Sequence, residues 1–111
     1  MLYLTIALFA LAAILGIIML KNWLTSAKTP RAVVYTHGAF AALALLLLVT
    51  YLVNHPSSSL KTALVLFVIA ALGGFFMFFR ELKGKLSPVW LAIIHGLLAV
   101  AGFLFLLFTV L

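Results

Sequence analysis

The chain alternates between long apolar runs and short polar stretches. Four runs stand out: Leu2 to Leu20, Ala32 to Val53, Leu60 to Phe79 and Val89 to Leu111, and apart from Lys61 none holds a charged residue. Each reaches the ~20 residues that a helix needs to cross a hydrocarbon core of ~30 Å. A membrane β-barrel would show alternating segments of ~10 residues instead, and these runs do not alternate. Backbone groups in lipid must be paired within their own segment, so helices are expected. The polar stretches carry helix punctuation. Lys21 to Arg31 contains Thr29-Pro30, the second is Asn54-His55-Pro56-Ser57-Ser58-Ser59, and Arg80 to Pro88 contains Gly84 and Ser87-Pro88. Thr29 and Ser87 sit where N-caps are expected, each followed by a proline in the first turn. Connectors this short predict antiparallel neighbours. The expected fold is an all-α, up-down-up-down bundle of four transmembrane helices forming one domain, residues 1–111.

Composition agrees and excludes a soluble fold. The 111 residues are 68% hydrophobic and 7% charged, with mean hydropathy +1.44. A soluble domain is ~45–50% apolar and ~25% charged, and a small fold has too little interior to hide the excess. With no cysteine there are no disulfides and no thiolate metal ligands.

Charge sets the expected orientation. Lys21, Lys28 and Arg31 lie in the first connector; Arg80, Lys83 and Lys85 lie in the third with Glu81, the only acid; Lys61 stands alone by the second. The positive-inside rule then puts loops one and three in the cytoplasm and both termini outside, in a bilayer such as the bacterial inner membrane. The first run is not expected to be a cleaved signal, because its positive charge follows it. A net charge of +6 reads as an orientation signal that also meets anionic lipid, not as a nucleic-acid surface. Trp23 and Trp90 read as interfacial anchors. Phe75, Phe76, Phe78 and Phe79 read as packing and lipid-facing residues.

A shift of 58 residues lays the chain on itself without a gap. Leu8-Phe9, Ala12-Ala13, Gly16 and Met19 fall on Leu66-Phe67, Ala70-Ala71, Gly74 and Met77; Pro30 falls on Pro88, and His37-Gly38 on His95-Gly96. Residues 2–53 and 60–111 share 14 identities in 52 positions. Two tandem hairpins of two spans each have the same orientation, related by an axis along the membrane normal. Ala12/Gly16 and Ala70/Gly74 have the small-x3-small spacing that lets membrane helices approach closely.

His37 and His95 are the only histidines within the spans, and an intramembrane ionisable residue is a functional candidate. His37 lies six residues past Arg31 and His95 seven past Pro88. At ~1.5 Å per residue both stand ~9–10 Å inside the same face. Helices two and four should occupy diagonal corners, ~12–14 Å apart if neighbouring axes are ~8–10 Å apart. That is too far for the imidazoles to bond each other and suits a planar group held from both sides. Haem b is such a group, since its iron takes two axial imidazoles for electron transfer. His37 and His95 are therefore the expected iron ligands. Gly38 and Gly96 would leave room for the porphyrin face, and Lys28, Arg31, Arg80 and Lys85 would pair with propionates.

At this point the chain resembles the small four-helix transmembrane cytochromes b, which hold haem between histidines on different spans. The resemblance covers the architecture and the His37/His95 pair. Many members use four histidines for two haems; with one pair, this chain would hold a single intramembrane haem and pass electrons to or from a redox partner or quinone. Other readings of the pair are a proton- or solute-conducting role, or a structural role in a subunit anchoring a larger complex. Small-residue faces permit a homodimer. His55, in Asn54-His55-Pro56, reads as a solvated turn residue. One loop acid, Glu81, offers little for hydrolytic acid/base chemistry.

The charge asymmetry makes a direct prediction. Reporter fusions at Ser58 and at the C-terminus should both read as external. A cytoplasmic signal at either point reverses the orientation.

Overall fold

The computed structural model describes residues 1–111 and is entirely helical. α1 spans Leu2–Leu24, α2 Arg31–Asn54, α3 Ser58–Leu82 and α4 Val89–Phe108. All four are long and apolar enough to cross a membrane. At ~1.5 Å per residue they measure ~30–38 Å, against an observed long dimension of 42 Å for the whole molecule. Large apolar side chains lie open on every helix, among them Ile17, Leu46, Leu72 and Leu97. Water would not tolerate such a surface, and lipid does. The protein is an integral membrane protein.

The helices overrun the uncharged runs at the connector ends. α1 continues through Lys21 to Leu24 and α3 through Arg80 to Leu82. Long basic side chains can reach out of the apolar layer from such positions. α4 stops at Phe108, short of Leu111, and its last residues close in turns. Thr29 and Ser87 do not cap. The N-cap positions belong to Pro30 and Pro88, both with extended ψ and neither supplying a side-chain bond. Pro30 (ψ 141°) and Pro88 (ψ 144°) are themselves extended, so Arg31 and Val89 are the first helical residues. Ser57 does cap: its hydroxyl accepts from the Leu60 N–H at 3.4 Å.

α1 and α3 end alike. Ser26 (φ 58°) and Gly84 (φ 72°) both adopt left-handed backbone. Beyond them the Ala27 N–H bonds Asn22 O at 2.8 Å and the Lys85 N–H bonds Arg80 O at 2.9 Å. These six-to-one bonds satisfy carbonyls that the helix end would leave open. Glycine takes this conformation freely, whereas serine does so at a cost.

α1 packs chiefly against α2, and α3 against α4; the contacts α1–α4 and α2–α3 are slighter, and the backbones of α1/α3 and of α2/α4 do not approach. The core is placed asymmetrically. It comes from Leu2, Leu8 and Phe9 of α1, Ala44 and Leu48 of α2, Leu60, Ala63 and Phe67 of α3, and Leu106 of α4. These lie in the first halves of α1 and α3 and the later halves of α2 and α4. Phe9 and Phe67 stack across the centre with ring centroids 3.9 Å apart and planes 4° from parallel. In the opposite half only Met77 and Ser87 are buried.

This asymmetry sets an expectation for stability. Leu106 is fully buried and Leu104 is 47% exposed. Leu106→Ala should cost ~2–4 kcal/mol in denaturant unfolding from mixed micelles, and Leu104→Ala less than ~1 kcal/mol.

Candidate functional site

Each histidine is anchored to the partner helix of its own hairpin. His37 Nδ1 donates to Ala12 O at 2.7 Å, and His95 Nδ1 donates to Ala70 O at 2.6 Å. A carbonyl oxygen can only accept, so the ring proton sits on Nδ1 in both. In the neutral ring Nε2 then keeps the lone pair. A buried imidazole without a partner would be costly, and in this apolar interior a helix carbonyl is the acceptor within reach.

Glycine makes that reach possible. An added Cβ on Gly16 would lie 3.1 Å from His37 Cε1, and one on Gly74 would lie 3.0 Å from His95 Cε1. In an α-helix the Ala12 and Ala70 carbonyls already accept from the N–H of Gly16 and Gly74. The imidazole comes to the same oxygen from the side, over the glycine Cα. The small-x3-small spacing is thus a socket for a histidine as well as a helix contact, a role the sequence alone did not reveal.

The two sockets bring the rings together. The His37 and His95 centroids are 6.3 Å apart, with planes inclined at 69°, and the rings do not hydrogen-bond each other. Both side chains are half-buried. The Phe9–Phe67 stack lies about one helical turn from the Ala12 and Ala70 carbonyls, toward the packed half of the bundle.

The remaining candidates are placed differently. Gly38 is exposed and Gly96 half-buried, and an added Cβ on either would meet no atom within 4 Å. Lys28, Arg31 and Lys85 are exposed. Arg31 lines a cavity of about 230 Å³ with Thr29, Val34, Tyr35, Phe78 and Glu81. Arg80 donates from Nη2 to Leu86 O at 2.9 Å and lies over the Phe76 ring, 5.7 Å from its centre. Tyr35 meets Phe78 edge-on at 5.9 Å, bridging the hairpins near the histidine end. His55 is exposed and stacks on Tyr51 at 4.2 Å, remote in sequence from both sockets.

The socket geometry separates the glycines. Gly16→Ala and Gly74→Ala should each destabilise the protein by ~1–3 kcal/mol, since the methyl overpacks against an anchored ring. Gly38→Ala and Gly96→Ala should be neutral or stabilising by up to ~1 kcal/mol, from helix propensity alone. Parallel unfolding curves of the four variants measure the difference.

No protein-family model matches the chain, and no curated protein or solved structure matches it, so the site stands on its own geometry.

Proposed function

We propose that this protein is a membrane cytochrome that binds one haem b between His37 and His95 and carries electrons. One observation carries the reading: two imidazoles on different helices, each with Nδ1 held by a backbone carbonyl, stand with ring centres 6.3 Å apart. Imidazoles that bind metal characteristically donate their other N–H to such an acceptor, which fixes the tautomer and strengthens the ligand. Two metal–imidazole bonds of ~2.0–2.1 Å, with ~1.1 Å from each nitrogen to its ring centre, span ~6.3 Å. The ring separation is therefore the one that a bis-imidazole metal centre requires. Bound there, haem iron would supply reversible one-electron chemistry. The protein's part is to hold both rings in one tautomer, through the Ala12 and Ala70 carbonyls, and to keep the site in an apolar medium. Exposed Lys28, Arg31 and Lys85 remain available to propionates, whereas Arg80 already bonds Leu86 O.

The accompanying architecture is a tandem duplication, up-down-up-down, with residues 2–53 related to 60–111. Paired positions support it. Leu2/Leu60, Phe9/Phe67, Ala12/Ala70, Ala44/Gly102 and Leu48/Leu106 are all buried and all 58 apart. The two histidine bonds repeat at the same offset, as do the left-handed residues Ser26 and Gly84. The core's alternation between first and later halves of successive helices supports antiparallel neighbours. The basic connectors support a cytoplasmic position for the histidine end.

The detergent-purified protein should show the Soret band and sharpened reduced bands of low-spin, six-coordinate haem. His37→Ala and His95→Ala should each abolish that species, and His55→Ala should leave it unchanged. Protein that stays colourless when haem is supplied during expression defeats the cytochrome reading.

A further inference from the structure

A cavity of about 230 Å³ opens in the seam between the hairpins, where α2 begins and α3 ends. Arg31, Val34 and Tyr35 line it from α2, and Phe78, Glu81 and Leu82 from α3. The two helices touch only slightly, and the edge-on contact of Tyr35 with Phe78 at 5.9 Å crosses the gap.

Opposite charges face this one space. Glu81 is the only acid in the chain, and Arg31 stands across the seam from it. Both are exposed and accessible, yet no ion pair within 4.0 Å joins them. The remaining walls are apolar apart from the Tyr35 hydroxyl and Thr29. The repeat itself does not call for this set. At the 58-residue offset Glu81 corresponds to Trp23, Arg31 to Val89 and Tyr35 to Ile93, so the matching positions on α1 and α4 carry no charge.

We propose that this cavity binds the headgroup of an aminophospholipid, phosphatidylethanolamine in chemical class. Arg31 and the Tyr35 hydroxyl donate to the phosphate, the Glu81 carboxylate accepts from the ammonium, and Val34, Phe78 and Leu82 pack against the glycerol end. A carboxylate only accepts and an ammonium only donates, so the two are complementary. A guanidinium matches phosphate oxygens in fork geometry. In this headgroup a two-carbon bridge separates phosphate from ammonium, so one molecule can meet a cation and a carboxylate that do not reach each other. A choline headgroup has no N–H to give Glu81, and a glycerol headgroup has no cation. The site involves neither histidine and does not rest on the haem reading; Lys28 and Lys85 remain for propionates.

Native mass spectrometry of the full-length chain tests the assignment, with phosphatidylethanolamine and phosphatidylcholine of identical acyl chains as probes. Phosphatidylethanolamine should be retained at least ~10-fold better, as expected for charge-assisted hydrogen bonds. Glu81→Lys places like charge against the ammonium and should erase that preference. Arg31→Gln should weaken retention of both lipids and leave a preference, because both carry the phosphate. Lys61→Gln, at the other end of α3, should match the parent. O-Phosphoethanolamine in large excess should not displace the lipid, since it lacks the glycerol and acyl chains. Equal retention of the two lipids by the parent, a parent-like preference in Glu81→Lys, or displacement by O-phosphoethanolamine overturns the proposal.

Discussion

An imidazole placed inside an apolar helix bundle needs a hydrogen-bond acceptor, and the helices offer almost nothing but carbonyls already engaged in their own ladders. A carbonyl oxygen has a second lone pair, and His37 and His95 take it, on Ala12 and Ala70. To do so the ring must lie against the backbone of the facing helix, where a side chain at the next turn would crowd it. Gly16 and Gly74 stand there. The one requirement of pairing a buried ring thus fixes the approach of α1 to α2 and of α3 to α4. It also fixes the tautomer of both rings and the nitrogen each leaves available.

The packed half of the bundle serves that arrangement. Leu48, Leu60, Ala63 and Leu106 are almost completely enclosed, and Phe9 and Phe67 stack between hairpins whose backbones meet only slightly. Hydrocarbon exerts no hydrophobic force between helices, so their association rests on close packing and hydrogen bonds. Concentrating the tight packing at one end leaves the other end, with the histidines, the Tyr35–Phe78 contact and the polar cavity beside Arg31, less constrained.

The two hairpins differ at the connector end of α1 and α3 and are alike where they hold the rings. Ala12/Ala70, Gly16/Gly74 and His37/His95 are identical pairs. At Asn22/Arg80 and Thr29/Ser87 they differ: Asn22 bonds Thr29, whereas Arg80 Nε and Ser87 Oγ have no partner. Ring placement is dictated by the close helix contact and tolerates little change.

Hydrophobic run length determined the number of helices, since only a helix satisfies its backbone in lipid, and the 58-residue self-match singled out both histidines. The sequence also placed them at one level, because rise per residue is the same in every helix. Tertiary structure decided the rest. Thr29 and Ser87 looked like caps, but the prolines after them are extended and take that position. Gly38 and Gly96, next to the histidines in sequence, face open space, while Gly16 and Gly74, more than twenty residues away, touch the rings. Arg80, read from the sequence as a propionate partner, bonds Leu86 O and lies over the Phe76 ring. Periodicity fixes what lies along a helix; which carbonyl, glycine or ring lies across from it depends on the rotation and approach of two helices, and those are set only when they pack.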